Sequence, residues 1–174
     1  MRLMTPILFL LAASLTAADV AAERSYSDFF EPTFGDFTEE LERAREEDKK
    51  LLLYFHMETC PFCERMERNV LNRAEVQDFY GEHFLSFMVD TEGAIEVVSF
   101  EGEAMEEREF ALRHRARATP VFAFFDGQGE PLARFTGATS SVEEFLWLGE
   151  YVVQGIYEEK PFARYRRERE NQGQ

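Results

Sequence analysis

The only two cysteines of the 174-residue chain are Cys60 and Cys63, with Pro61 and Phe62 between them. Cysteines three apart at the start of a helix face the same side, so their sulfurs can form a disulfide and can also react singly. As a structural crosslink the pair is poor, because closing so short a loop removes little chain entropy. A disulfide scaffold would need more cysteines, spaced further apart. The pattern therefore predicts a redox-active dithiol.

The helix predicted to begin at Pro61 sets the reactivity of the two thiols. Unpaired backbone N–H groups and the positive end of the helix dipole favour a thiolate at Cys60. Pro61 suits the first turn, where no N–H partner is needed. We expect Cys60 to be exposed and nucleophilic, and Cys63, one turn further on, to be more buried and to resolve a mixed disulfide.

The same cysteine spacing also occurs in metal and haem sites. Haem attachment requires a histidine directly after the second cysteine, and Glu64 occupies that position. Zinc would need two further ligands from three histidines that form no closely spaced pair. Copper bound by the thiolates with Met57 or Met66 remains an alternative, as does a partner-binding module without turnover. We expect neither a metal nor another cofactor. The three histidines are His56, His83 and His114.

Apolar segments predict the strands that position the dithiol. Residues 51–56 form an uninterrupted apolar run, as expected for a central strand covered on both faces, and the dithiol follows after a short turn. Further strands are predicted at 84–90 and 120–125, and a turn at 126–129 leads into a return strand at 132–135.

Amphipathic segments between these strands predict helices on the surface of the sheet. Ser140 with Glu143, and Ser141 with Glu144, are both candidate capping boxes for the last of them. The order of elements gives an α/β fold, with a mixed central sheet and helices on both faces. The predicted helices lie at 36–50, 61–71, 74–81, 106–117 and from 140 onward, and a hairpin is expected within 91–104.

Residues 1–22 have the pattern of a secretory signal peptide. Arg2 precedes a mostly apolar run over 6–18, which is too short to span a bilayer comfortably. Small residues allow cleavage after Ala18 or after Ala22, and an uncleaved membrane anchor is the alternative. We therefore expect a bacterial periplasmic location.

The remainder of the chain is one strongly acidic domain. Composition predicts a single compact domain over 23–165, followed by a charged, frayed tail at 166–174. The formal net charge of −15 belongs to the mature protein, because residues 1–22 carry one charge of each sign. Such acidity argues against nucleic acid or an anionic membrane as a partner. We expect a monomer.

Two further motifs give the dithiol a context. Thr119-Pro120 stands before a predicted strand, and Phe135-Thr136-Gly137-Ala138 stands before the last helix. Together with the dithiol they resemble the thioredoxin superfamily. The resemblance implies that Pro120 is a cis proline lying against the dithiol, and that Thr119 contacts the substrate, whose chain pairs with the backbone there like an added strand. Phe62 is then expected to be an exposed apolar contact for protein substrates.

Several positions depart from ordinary thioredoxins. Tyr54 stands where many members carry a buried aspartate that moves protons, and Thr59 replaces the usual tryptophan before the first cysteine. The Pro-Phe pair between the cysteines is closer to glutaredoxins. We expect Tyr54 and His56 to tune the thiols, with His56 able to shuttle protons.

A narrower resemblance is to the SoxW-type periplasmic thioredoxins of bacterial sulfur-oxidation systems. It depends on the connection at 96–102 and on the ending at 151–157 with Phe162. It implies a protein-disulfide reductase fed by a membrane thiol transporter, with a sulfur carrier or a cytochrome-maturation protein downstream. A Dsb-like oxidase or isomerase has the same fold and dithiol, and remains the alternative.

Overall fold

A computed structural model describes residues 23–172. The predicted signal peptide at 1–22 lies outside the described residues. None of the helices between residues 23 and 172 is long and apolar enough to cross a bilayer. The helices are α1 (Phe37–Glu46), α2 (Pro61–Met66), α3 (Ala74–His83), α4 (Glu107–Arg113), α5 (Val142–Val153) and α6 (Phe162–Gln172), and the strands are β1 (Lys50–His56), β2 (Phe84–Asp90), β3 (Glu96–Val98), β4 (Ala104–Glu106), β5 (Val121–Phe125) and β6 (Pro131–Thr136).

The main sheet has four strands in the order β2-β1-β5-β6. β1 and β2 are parallel, whereas β5 runs antiparallel to β1 and β6 antiparallel to β5. The predicted mixed α/β fold is therefore confirmed. The expected hairpin within 91–104 is also present, as β3 paired with β4, although it extends to Glu106.

Burial of β1 on both faces explains its uninterrupted apolar sequence. Leu52 and Tyr54 pack into one cluster with α2, α3 and α5, while Leu51, Leu53 and Phe55 pack into a second cluster with α1 and α4. Alternate side chains of a strand point to opposite faces, so a strand between two helical layers is apolar throughout. Both cysteines belong to the first cluster.

The end of β1 that precedes the dithiol is fixed by its neighbours in the sheet. His56 is in register with Asp90 on β2, and Phe55 is in register with Val121 on β5. The carboxyl end of β2 and the start of β5 therefore meet beside the segment that carries Cys60.

The predicted capping box of Ser141 with Glu144 forms in part at the start of α5, because the carboxylate bonds Ser140 and not the N-cap residue. The Ser141 hydroxyl accepts a hydrogen bond from the Glu144 backbone N–H at 3.1 Å. The Glu144 carboxylate accepts from the backbone N–H and the hydroxyl of Ser140, at 2.7 and 2.6 Å. Ser141 is thus the N-cap, and Ser140 with Glu143 is not the pair used.

The prediction of a frayed tail after residue 165 is wrong for the residues that the structure describes. α6 continues to Gln172 and packs on α5. Arg166 forms an ion pair with Glu144 at 2.9 Å, and Arg169 forms one with Glu150 at 2.7 Å. These ion pairs, together with the buried Tyr165, hold the charged segment in place.

Residues 23–31, here called the N-terminal arm, lie along α3 and the edge of β2. Arg24 forms an ion pair with Asp78 at 2.6 Å, and the Glu31 N–H donates to the Ser86 carbonyl at 2.8 Å. Phe29, which lies between Arg24 and Glu31 in the chain, is buried, and its ring centroid is 5.3 Å from that of Tyr80. The arm is thus tied at both ends and anchored in the core.

Candidate active site in the dithiol cleft

Cys60 and Cys63 form a disulfide at the N-terminus of α2, with their Cα atoms 5.2 Å apart. Cys60 is the N-cap residue, and its sulfur accepts a hydrogen bond from the Cys63 backbone N–H at 3.1 Å. This N–H belongs to the unpaired set at a helix start and would stabilise a thiolate at the same position.

The expectation that Cys60 is exposed is wrong for the disulfide form. Only 6% of Cys60 is accessible, compared with 2% of Cys63. The Cys60 sulfur is bonded inward to Cys63, and both residues pack within the first core cluster. The predicted order of accessibility between the two cysteines nevertheless holds.

The Thr119–Pro120 peptide bond is cis, as the resemblance implied. Pro120 is buried directly before β5, and its carbonyl accepts a hydrogen bond from the Gly137 N–H at 2.8 Å. The Thr119 hydroxyl is buried and has no hydrogen-bond partner among the described residues. Because β5 begins opposite the end of β1, this loop lies at the end of the sheet where the dithiol segment begins.

Phe62 lies on the surface of α2, between the two cysteines. It is 55% exposed, as predicted, and the Arg65 guanidinium lies 5.3 Å from the centre of its ring. An apolar ring of this size beside a disulfide offers a contact for a polypeptide.

A cleft of 710 Å³ opens onto the disulfide. The N-terminal arm contributes Tyr26 to its wall, and the end of β2 contributes Asp90. No lysine or arginine is among the residues that line it. The other acidic residues of the lining are Glu58, Glu64 and Glu67.

Tyr54 and Glu67 form a hydrogen-bonded pair next to the disulfide. Tyr54 is fully buried on β1, and its hydroxyl donates to the Glu67 carboxylate at 3.2 Å. Burial and the nearby Glu67 charge raise the pKa of Tyr54 far above its ordinary value, so this hydroxyl remains a donor at neutral pH. A protein that lacks the usual buried aspartate therefore still places a carboxylate beside the thiols.

Sequence reasoning missed Glu67, although a signal for it exists. Glu67 follows Cys63 by four residues, and residues four apart share a face of a helix. It begins the π-helical turn Glu67–Leu71 that continues α2. Tyr26 and Asp90 were also missed, and they reach the cleft only through the tertiary fold.

His56 ends β1 at the edge of the cleft. Its ring stacks on Tyr54 with centroids 5.8 Å apart, and its carbonyl accepts hydrogen bonds from the Thr91 N–H and hydroxyl. Burial lowers the pKa of His56 below its ordinary value, against the opposing charges of Asp90 and Glu67. The imidazole is thus neutral at pH 7, with its ring within the cleft wall.

Of the side chains considered as further metal ligands, His56 and Met57 line the cleft with the two cysteines, whereas the others lie outside its lining. His83 packs against Phe79, and His114 lies among phenylalanines of the second core cluster. Met66 is fully buried, and its sulfur accepts from the Thr139 hydroxyl at 3.6 Å. Within residues 23–172, no three His, Cys, Asp or Glu side chains are grouped as a metal site.

The sheet order, the cis proline and the helix-capping disulfide define a thioredoxin-fold protein. The sequence model of the thioredoxin-like domain matches residues 37–153, and the chain therefore belongs to this family.

Individual relatives agree with this assignment. The disulfide bond reductase DsbH of Chlamydia pneumoniae is 25% identical over 99 residues, which cover 56% of this chain and 58% of that relative. A thioredoxin-fold protein from Helicobacter pylori superposes with a TM-score of 0.63 at 22% identity, covering 78% of this chain and 83% of the other. A thioredoxin from Thermus thermophilus superposes with a TM-score of 0.53 at 28% identity, covering 68% of this chain and 84% of the other. The narrower resemblance to SoxW-type proteins stays a prediction.

Proposed function

We propose that this protein is an exported thiol–disulfide oxidoreductase that reduces disulfides of other proteins through Cys60 and Cys63. The observation that carries the proposal is the disulfide at the N-terminus of α2, which opens into a cleft. The name of the chlamydial relative, a disulfide bond reductase, supports the direction of transfer.

The reaction begins with the reduced protein. The Cys60 thiolate attacks one sulfur of the substrate disulfide, so that a mixed disulfide forms and the other substrate sulfur leaves as a thiolate. The Cys63 N–H, which bonds the Cys60 sulfur in the oxidised protein, stabilises the attacking anion.

The second step releases the substrate. The Cys63 thiol loses its proton and attacks Cys60, which forms the intramolecular disulfide and releases the second substrate sulfur as a thiolate. Glu67, four residues further along the helix and within the cleft, is the carboxylate placed to accept that proton. Two electrons have then passed to the substrate, whose two thiolates take up one proton from Glu67 and one from solvent, and an external dithiol must return the electrons.

Substitution of each cysteine tests these roles. Cys60→Ser should abolish reduction of a protein disulfide, because the attacking sulfur is lost. Cys63→Ser should instead accumulate a covalent mixed disulfide with the substrate, visible as a mass increase that dithiothreitol reverses. Unchanged turnover in Cys60→Ser would refute the proposal.

The direction of electron flow follows from the reduction potential of the couple. Equilibration of the protein against dithiothreitol or glutathione buffers measures it. A value near that of thioredoxin, about −270 mV, supports a reductase, whereas a value near about −120 mV means a disulfide oxidase.

Export and the electron supply complete the proposal. The protein acts in the periplasm, and a membrane thiol transporter is the upstream dithiol. N-terminal sequencing of the protein recovered from a periplasmic extract should begin at Asp19 or Glu23. Recovery of an uncleaved chain in the membrane fraction would indicate an anchor instead.

A further inference from the structure

The N-terminal arm lies outside the matched family region, yet it contributes to the dithiol cleft. The match begins at residue 37, whereas Tyr26 lines the cleft and is 39% exposed. The neighbouring Phe30 stacks on Tyr54 with ring centroids 5.4 Å apart, which fixes the arm against the same wall. The segment that carries Tyr26 is therefore held at the site by contacts of its neighbours in the arm.

Two carboxylates of the cleft have no cationic partner in the described chain. Glu64 already forms an ion pair with Arg68 at 2.7 Å, and Glu67 accepts from Tyr54. Glu58 and Asp90 form no ion pair with any lysine or arginine of residues 23–172. The cleft thus combines an exposed aromatic ring with two carboxylates open to an external cation.

This combination has a definite chemical complement. Cations are attracted to the faces of aromatic rings and to carboxylates, and each attraction is stronger where water is partly excluded. An acidic substrate would instead meet like charge at the cleft and across a chain of net charge −15.

We propose that the N-terminal arm and the cleft carboxylates select protein disulfides flanked by lysine or arginine, with Tyr26, Glu58 and Asp90 contacting the basic side chain. The selection rests on the proposed function, because it assigns a substrate class to the same dithiol. Charge complementarity determines the occupant, a basic stretch of polypeptide beside its disulfide.

Kinetics with matched peptides test the selection. Two peptides carry the same disulfide, one flanked by lysines and one by glutamates, and the ratio of their kcat/KM values is measured at low salt. We expect a ratio of roughly tenfold or more for the wild-type protein, falling as salt is added. Glu58→Gln with Asp90→Asn, and separately Tyr26→Ala, should reduce the ratio to about threefold or less, and Tyr26→Phe should restore it.

Matched controls separate local recognition from general charge. Glu46→Gln with Glu75→Gln removes two exposed carboxylates outside the cleft, and Phe34→Ala removes a fully exposed ring near the arm. All three substitutions should leave the ratio unchanged. A wild-type ratio near one, or an equal loss in the Glu46/Glu75 control, would overturn the proposal.

A binding measurement distinguishes failure of this inference from failure of the proposed function. Calorimetry is performed with the oxidised protein and the lysine-flanked peptide whose cysteines are replaced by serine. Binding that weakens in Glu58→Gln with Asp90→Asn supports the recognition site even if no disulfide is turned over. Turnover of both peptides without any such binding preference retains the oxidoreductase and refutes the selection.

Discussion

The hydroxyl of Tyr54 donates a hydrogen bond to the carboxylate of Glu67 at 3.2 Å, beside the dithiol. Tyr54 occupies the strand position at which many members of the superfamily carry a buried aspartate. The strand supplies the donor, and the helix that carries the cysteines supplies the charge. Glu67 therefore belongs to the same rigid element as the thiols.

Loss of the Glu67 charge should make the reduced thiols easier to ionise. Glu67→Gln removes a negative charge from the cleft, so less electrostatic work opposes a thiolate. We expect thiolate absorbance at 240 nm to rise at lower pH than in the wild-type protein, and resolution of the mixed disulfide to slow by roughly tenfold because the proton acceptor is lost.

Glu64→Gln is the matched control for this prediction. Glu64 also lines the cleft, but Arg68 already compensates its charge. Its substitution should move the absorbance curve less than Glu67→Gln does. An equal or larger displacement would show that Glu67 has no special relation to the thiols.

The exposed ring of Phe62 should contribute to binding of protein substrates. Phe62→Ala removes an apolar contact next to the disulfide, and we expect KM for a protein disulfide to rise about three- to tenfold, which corresponds to about 1 kcal/mol of lost burial. Leu112→Ala is the control, because Leu112 is 57% exposed on α4 and does not line the cleft. If both substitutions raise KM equally, Phe62 is not a substrate contact.

Acid should destabilise the protein through His114. Burial among Phe100, Phe110 and Phe125 lowers the pKa of His114 to about 4, whereas an unfolded chain has an ordinary histidine value near 6.5. Between those values the unfolded state binds the extra proton, so stability falls as the pH decreases from about 6.5 to 4. The loss amounts to at most about 3 kcal/mol.

Urea unfolding at pH 7 and pH 4.5 measures this effect. His114→Leu should reduce the difference in unfolding free energy between the two pH values, leaving a remainder from groups such as His56. Phe145→Leu, in the core cluster that does not contain His114, should lower stability by a similar amount at both pH values. A pH difference unchanged in His114→Leu would contradict the assignment.

The ion pair between α6 and α5 should contribute to stability. The Glu144 side chain is only 4% exposed, so Arg166→Ala leaves a nearly buried carboxylate without its cation. We expect a loss of about 1–2 kcal/mol in urea unfolding, since Arg166 itself is 39% exposed and partly screened. Arg68→Ala breaks a pair exposed on both sides and should cost under about 0.5 kcal/mol.

Local sequence signals predicted most of the framework. β2 was predicted with its observed bounds, because an apolar run ended by a charged residue fixes both ends. The dithiol and the cis Pro120 were found because each has a short motif. The helix predicted at 36–50 is observed as α1, which buries Phe37, Leu41 and Ala44 on one face.

The features that sequence reasoning missed depend on contacts between distant segments. Asp90 reaches the cleft because it is in register with His56, which precedes it by 34 residues. The sequence predicts a charged, frayed tail at 166–174, because the charge of its arginines does not reveal that their partners Glu144 and Glu150 lie on α5. Cys60 is covered because its sulfur is drawn into the core by the disulfide.

The contacts of Phe29 and Arg166 imply that the cooperative folding unit is wider than the recognisable family region. The match ends at Val153, thirteen residues before the cation that neutralises Glu144, and begins eight residues after a ring buried against Tyr80. A fragment trimmed to 37–153 would expose the apolar side chains that Phe29 covers. It would also leave the Glu144 carboxylate without its cation.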